Sequence, residues 1–357
     1  MSLPYKVLLP ASTDRGPWLA ARRGGIGSSD VANILGVGGS SAQRVFYDKV
    51  GRLPLEDDAG EAALWGSLDE ETTAREWARR NRSVGRRIGL IARKDAEWQM
   101  CTLDRLITEC PMASGGRERC ALEVKHRSAW LAGKWKRTVP DDVLAQVLWQ
   151  MHVTGFDHLH VAVRIGGNDY RQLTVLRRDH RQLLDDAVTA VTNFWVGNVL
   201  ARRVPPLTGD ENVDRVLDLF EDLYPNRSGV KKLEGLEAVE ANELLIEYEL
   251  QRLIESRAKK AKGAAKARLI ELLGDNEAAF LHDQDMPAYG WDSTTQDGTP
   301  LVKESIDMNR LADRHPDAYA DCLRSKPQRR FNLAKFRRLT EGDLDRYTKE
   351  DDADVPR

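Results

Sequence analysis

After Gly85 the apolar pattern of this chain changes period, and that change limits the folds open to it more than any other feature. Upstream, from about Glu61 to Arg82, the residues Ala62, Leu64, Trp65, Leu68, Thr72 and Trp77 recur at helical spacing and are expected to share one broad face. Downstream come short strand-like runs, at Arg87 to Ile91, Trp98 to Leu103 and Cys120 to Lys125, with the polar loop Cys110 to Arg117 before the third. They read as a meander. Pro140-Asp141-Asp142 then opens a helix to about Thr154, stopped by Gly155. Leu159 to Ile165 and Gln172 to Leu176 follow as strands joined by the turn Gly166-Gly167-Asn168-Asp169, and Arg178 to Leu200 is helical again. Helix, three strands, helix, two strands, helix is the order of an α/β sandwich with a mixed sheet.

On the N-terminal side, Ser29 is placed as the N-cap of a helix from Asp30 to Leu35 that Gly36 stops, and Ser41 as the next cap with Gly51 as its stop. Pro205-Pro206 ends the mixed block, which sets a first domain at residues 1–204. Beyond it, Leu233 to Leu273 is rich in Glu, Lys, Ala and Leu and reads as one long helix or a helical hairpin. A hairpin turn at Gln296-Asp297-Gly298-Thr299, a short helix near Met308 to Ala318 and the basic run Arg324 to Arg338 complete a mostly helical extension over 205–347. Residues 348–357 read as a disordered tail.

Composition narrows the classes further. Of 357 residues, 41% are hydrophobic and 31% charged, as in ordinary soluble proteins. No apolar run approaches the roughly 18 residues that span a bilayer, and the N-terminus has no basic-then-apolar leader, so a cytoplasmic protein with no membrane partner is expected. Four cysteines, Cys101, Cys110, Cys120 and Cys322, include no CxxC pair, which argues against a disulfide framework or a zinc ribbon and leaves buried or incidental thiols. His152, His158 and His160 straddle a helix end and a strand start with no evident fourth ligand, so zinc is not expected there. The glycine-rich stretches Gly24 to Ser29 and Gly36 to Ser41 lack the Gly-Lys-Ser/Thr of a phosphate-binding loop. Net charge is only −2, but Arg79 to Arg87 and Lys125 to Arg137, the latter with Trp130 and Trp135, are concentrated basic stretches. Each alone reads equally well as a solvated helix end; together they favour a polyanion.

The chemistry is carried by Cys120-Ala121-Leu122-Glu123-Val124-Lys125. Strand alternation puts Glu123 and Lys125 on one face and Leu122 and Val124 on the other. By itself that is what any amphipathic strand does. An upstream strand ends at Leu103-Asp104, however, and two carboxylates on neighbouring strands can share one hard divalent cation. Phosphodiester hydrolysis needs such a site, because the metal acidifies water and neutralises charge on phosphorus, and Lys125 would orient or deprotonate that water. Asp69, Glu70 and Glu71 on the preceding helix offer a third acid, although only one or two can face the sheet.

In their order along the chain these residues resemble the YqaJ-type viral recombinases, relatives of lambda exonuclease within the PD-(D/E)xK nucleases. The resemblance covers about Trp18 to Leu200: Trp18 with Arg22 to Asp30, Trp65-Gly66 with Glu70, Asp104, Leu122 to Lys125, and Gln146-Val147 with Val153-Thr154-Gly155. It implies a restriction-endonuclease-like α/β core with a central mixed sheet flanked by helices. It also implies a Mg²⁺-dependent 5′ to 3′ exonuclease on linear double-stranded DNA, leaving 3′ overhangs for a single-strand annealing protein, with Mn²⁺ able to substitute. A homo-oligomer is a family habit that the C-terminal extension could block. By position, Glu70, Asp104, Glu123 and the Val124 carbonyl match the metal ligands, Lys125 the catalytic lysine, Gln146 the family's helical glutamine, and Arg22, Ser28 and Ser29 the seat of the 5′-phosphate. Ser29 at a helix N-terminus would also suit an anion. Arg105 departs from the glycine usual after the metal-binding aspartate, which questions the local turn. An endonuclease or single-strand nuclease using the same centre, and a non-catalytic DNA-binding scaffold, are the competing readings.

Overall fold

The computed structural model describes residues 3–55, 60–112, 119–225, 229–282, 288–290, 307–322 and 338–345. The turn at Gln296 to Thr299, nearly all of the basic run Arg324 to Arg338 and the C-terminal tail lie outside the described residues. Six strands form one sheet in chain order: β1 (Tyr5–Leu9), β2 (Gly85–Arg93), β3 (Met100–Ile107), β4 (Cys120–Arg127), β5 (His158–Ile165) and β6 (Asp169–Leu176). All neighbours are antiparallel except β4 and β5. A parallel pair needs a crossover, and the helix of Asp141–Thr154 supplies it. The expected α/β core with a mixed sheet is therefore the fold observed.

Three short helices follow β1, α1 (Arg15–Arg23), α2 (Ser28–Ile34) and α3 (Ala42–Lys49), and then the longer α4 (Gly60–Asn81). The crossover is α5, and α6 (Arg181–Phe194) follows the last strand of the sheet. Period-two alternation sorts β4 and β5 between two faces. Ala121, Leu159, Val161 and Val163 join the main core with α2, α5 and α6, while Cys120, Leu122, Val124 and Ala162 pack beneath Trp77 and Ala74 of α4.

Several expectations are borne out in detail. Ser41 accepts a hydrogen bond from the Arg44 backbone N–H at 3.2 Å, and Gly36, Gly51 and Gly155 end their helices at φ of +74°, +79° and +73°, where a side chain would be strained. Others are corrected. Leu64, Trp65, Leu68 and Thr72 are exposed, and the buried face of α4 is Thr73, Ala74 and Trp77. Small and polar residues face the sheet because a buried arginine on β3 claims acids from this helix, a tertiary demand that an apolar pattern does not register. Asp104 lies inside β3, which runs on to Ile107. The strand β1 was not expected; its approach to β2 requires Gly89, where a Cβ would fall 1.8 Å from the Leu9 carbonyl oxygen.

Two compact units divide the chain, residues 1–228 and 229–357. The first outruns the expected boundary at 204 by one helix, α7 (Val213–Leu223), whose Val216, Leu219 and Leu223 are buried. In the second, α8 (Gly235–Leu273) is a single helix of 39 residues, not a hairpin. Its buried Glu249 accepts from Arg252 at 2.8 Å and from the Leu339 N–H at 3.1 Å, which fastens residues 338–345 against the helix. A two-residue ladder and the helices α9 (Met308–Arg314) and α10 (Pro316–Cys322) make up the rest described. Among the described residues no helix is long and apolar enough to cross a membrane.

Trp149 on α5 is 1% exposed and donates from its indole to the Met100 carbonyl at 2.9 Å. Trp149→Ala should therefore destabilise the first unit by about 3–5 kcal/mol, read from denaturant unfolding.

Candidate active site at the fork of the sheet

The ladder between β3 and β4 spans only Arg105/Leu122, Leu106/Ala121 and Ile107/Cys120. Beyond it the two strands part, whereas β4 stays paired with β5 as far as Arg127. Asp104 and Glu123 stand at this fork. Backbone groups there turn to side chains: the Val124 N–H donates to Asp104 Oδ2 at 2.6 Å, and the Thr102 carbonyl accepts from Gln150 Nε2 at 3.0 Å. A carboxylate in such a gap is held by the strand opposite, so its position is set by the sheet itself.

Glu123 is only 2% exposed. A buried carboxylate is tolerated only when its lone pairs are met, and here they are. Its Oε1 accepts from Lys125 Nζ and, at 2.6 Å, from Gln146 Nε2; its Oε2 accepts from Gln150 Nε2 at 2.7 Å. Gln146 Oε1 in turn accepts from Lys125 Nζ at 2.9 Å, so the glutamine fixes both members of the strand's charged pair. Gln146 and Gln150 can do this together because residues four apart lie side by side on a helix. The sequence resemblance points to Gln146 and gives Gln150 no role. Its spacing was the available signal, and its complete burial now marks it as part of the cluster.

Burial pushes the Asp104 carboxyl well above the usual carboxylate range; Glu123 and Glu70 add to the rise, and Lys125 opposes it. A buried acid raised further by two neighbouring carboxylates marks a site that a cation would relieve. The donors are hard oxygens, two carboxylates at the fork and a third whose charge is felt there, with the Lys125 cation opposing them at Asp104. That set fits Mg²⁺ or Mn²⁺ better than a softer metal.

Arg105 changes the picture of the third acid. It pairs with Leu122 in the ladder, is 6% exposed, and directs its guanidinium at α4. There it donates to Glu70 Oε1 and, at 2.7 Å, to Glu71 Oε2. The turn feared from this departure does not exist, since Arg105 is in regular strand; its side chain instead bolts α4 to the sheet and holds Glu70 beside Asp104. The guanidinium also keeps Glu71 below its ordinary pKa. Asp69 points elsewhere, to Arg164 and, at 3.4 Å, to His126. Of the three consecutive acids, Glu70 alone bears on Asp104.

Arg22 and Ser29 form a second cluster on α1 and α2. Arg22 Nη2 donates to Ser29 Oγ at 2.7 Å, and its guanidinium lies 4.8 Å from the centroid of the Trp18 ring. The helix starts at Ser28, with Gly27 as its cap, so Ser29 is not the cap expected. Asp30 Oδ2 already accepts the Gly27 N–H at 2.9 Å, and Ser28 is 3% exposed. Any anion here would therefore meet the Arg22 guanidinium and the Ser29 hydroxyl. Burial alone would raise the Asp30 pKa, but Lys49 at 2.8 Å and Arg22 at 3.5 Å outweigh it and hold the carboxyl below its usual value.

The basic stretches are partly neutralised. Arg79 and Arg80 both pair with Glu76, at 2.8 Å and 2.7 Å. Just past β4, the 3-10 turn Ala129–Trp135 buries Trp135 but leaves Trp130 81% exposed, with Lys134, Lys136 and Arg137 exposed around it.

The first unit is thus an α/β fold in which a mixed sheet with helices on both faces opens at a fork that carries an acid on each strand and a lysine two residues beyond the second. Residues 17–157 match the YqaJ-like viral recombinase domain. The uncharacterized protein YqaJ of Bacillus subtilis (strain 168) is 27% identical over 325 residues, covering 89% of this chain and 94% of its own length. An alkaline exonuclease from Laribacter hongkongensis is similar in structure at a TM-score of 0.43 and 18% identity, over 57% of this chain and 98% of that one. The same exonuclease in complex with dAMP matches at a TM-score of 0.43, over 52% of this chain and 93% of that one.

Two outcomes test the geometry without any activity. Gln150→Ala removes the donor to Thr102 and Glu123 and should cost about 1–3 kcal/mol in denaturant unfolding. A depressed Asp30 pKa means that the unfolded chain takes up this proton first, so the carboxylate contributes stability above about pH 4 that fades as pH falls toward the folded value. Asp30→Asn should thus flatten the acid limb of the stability profile while lowering stability at neutral pH.

Proposed function

We propose that this protein is a metal-dependent DNA nuclease that degrades linear duplex DNA from its 5′ ends and leaves 3′ overhangs for recombination. The observation that carries this reading is the convergence of Glu123, Lys125 and Gln146 on one point beside Asp104, in a fork closed by side-chain hydrogen bonds. A scaffold that merely bound DNA would gain nothing from burying a carboxylate pair at such electrostatic cost.

Glu70, Asp104, Glu123 and the Val124 carbonyl would hold the cation, Mg²⁺ with Mn²⁺ as a substitute. When bound, it would lower the pKa of water and neutralise charge on the phosphate. Lys125 Nζ, fixed between Glu123 Oε1 and Gln146 Oε1, orients the attacking water and sets a positive charge near the oxygens that gain charge as phosphorus is attacked. Gln146 holds that lysine and its glutamate in register, and Gln150 keeps the other Glu123 oxygen from swinging away. Arg22 and Ser29 would receive the terminal 5′-phosphate, the guanidinium by charge and the hydroxyl by hydrogen bond, with Ser28 as backbone support. Trp130 with Lys134, Lys136 and Arg137 would flank the DNA as it leaves Lys125, with affinity falling steeply with salt. The polarity rests on the resemblance of Arg22 to Ser29 to the family's seat for a terminal phosphate. A cytoplasmic location, a single-strand annealing partner and a homo-oligomer belong to the same proposal.

The test offers linear duplex with and without a 5′-phosphate, and covalently closed circles, in Mg²⁺ or Mn²⁺. Linear DNA should disappear, faster when phosphorylated, and circles should persist. Lys125→Ala and Asp104→Asn should each slow the reaction by about a hundredfold or more while the fold is kept. Cutting of closed circles would assign an endonuclease instead, and parental rates in both variants would remove the site assignment altogether.

A further inference from the structure

A second cluster lies beneath α4, on the face of the sheet opposite α5. Cys110 follows β3, Cys120 opens β4, and His158 and His160 stand two apart at the start of β5. The pairing of Ala121 with Leu159 sets Cys120 beside His158. One ligand atom from each of the four residues can be chosen so that all lie within 4.8 Å of one another, and all four side chains are buried, at 8%, 0%, 7% and 4% exposure. Around a tetrahedral ion with bonds of about 2.3 Å to sulfur and 2.0–2.1 Å to nitrogen, neighbouring ligand atoms fall roughly 3.3–3.8 Å apart. Cys110 Sγ is 3.0 Å from His158 Nε2 and 3.5 Å from His160 Nε2.

We propose that Cys110, Cys120, His158 and His160 form a structural zinc site that fastens the start of β4 to the start of β5 and to the loop after β3.

A thiol packed against histidines is the plain alternative, and the surroundings favour the metal. Both Nε2 atoms face the Cys110 sulfur, as imidazoles that share an ion with a thiolate do. The Met112 N–H also points at that sulfur, at 3.5 Å, as backbone donors do toward a thiolate. His160 Nδ1 lies 3.0 Å from Thr174 Oγ1, the outer hydrogen bond that fixes ring orientation in metal-binding histidines. Trp77 sits 4.9 Å from the His160 ring between centroids and helps to close the site from above. Two sulfurs and two nitrogens, shut away from water with no open position, suit zinc in a structural role and not the oxygen-loving cation proposed at the fork. Loading would release a proton from each cysteine thiol, leaving two thiolates on the ion.

The spacing explains why the sequence did not disclose this. His152, nearest in the chain, turns instead to Gln99 at 2.8 Å, and nine residues separate Cys110 from Cys120 where zinc motifs place two to four. The consequence reaches the fork, because Glu123 is only three residues along β4 from Cys120.

The full chain, purified without chelator and dialysed, should carry one equivalent of zinc by elemental analysis. Cobalt in its place should give the intense visible bands of a tetrahedral ion and a near-ultraviolet thiolate transition. Zinc should also protect Cys110 and Cys120 from alkylation mapped by mass spectrometry, while the exposed Cys322 reacts with or without it. Cys120→Ser and His160→Ala should lose the zinc, and Asp104→Asn should retain it, which separates this site from the fork. The cobalt and alkylation readouts on the parent protein stand even if a variant fails to fold. Absence of stoichiometric zinc, together with alkylation of Cys110 and Cys120 unchanged by added zinc, would overturn the proposal; so would zinc retained by both ligand variants.

Discussion

Glu123 is the constraint around which the first unit is arranged. A carboxylate with almost no exposure must have every lone pair met, and its partners come from its own strand and from the crossover helix. That requirement fixes the rotation of α5, since Gln146 and Gln150 must both face β4. Where β3 and β4 separate, the Val124 N–H and the Thr102 carbonyl turn to Asp104 and Gln150. Asp104, set into the gap by the Val124 N–H, has its pKa raised first by burial and then by Glu123 beside it. The functional reading and the packing are thus one arrangement.

The opposite face of the sheet carries a different chemistry. There the side chains of β4 and β5 include sulfur, imidazole and hydrocarbon under Trp77, and Arg105 of β3 and Arg164 of β5 pair with acids of α4. Arg105 transmits position, since it takes its own place from the β3–β4 ladder and passes it to Glu70 on α4. Strand alternation keeps the two faces apart although their residues are adjacent in sequence: Cys120 and Leu122 belong to one, Ala121 and Glu123 to the other. Oxygen donors on one side and sulfur and nitrogen donors on the other would draw different ions to the same short strand.

Much of this was open to a reader of the sequence. The change of period after Gly85 marks the sheet, the glycines after α2, α3 and α5 mark helix ends because only a residue without Cβ sits easily at positive φ, and alternation in Leu122 to Lys125 pairs the acid with the lysine. These are local facts, settled within a few residues of chain. The order of Glu70, Asp104, Glu123, Lys125 and Gln146 is likewise a property of the chain alone.

What the chain could not express is where distant segments meet. Gln150 looked ordinary until Thr102 and Glu123 were brought to it, and Arg105 looked like a flaw until Glu70 and Glu71 were found above it. The face of α4 was misdrawn because burial there follows an arginine on a strand and not the helix's own apolar residues. Cys110, Cys120, His158 and His160 converge only because β4 lies parallel to β5. Local conformation depends on near neighbours and is therefore written in the sequence; burial, charge pairing and ligand sets depend on which strands lie side by side, and tertiary structure decides that.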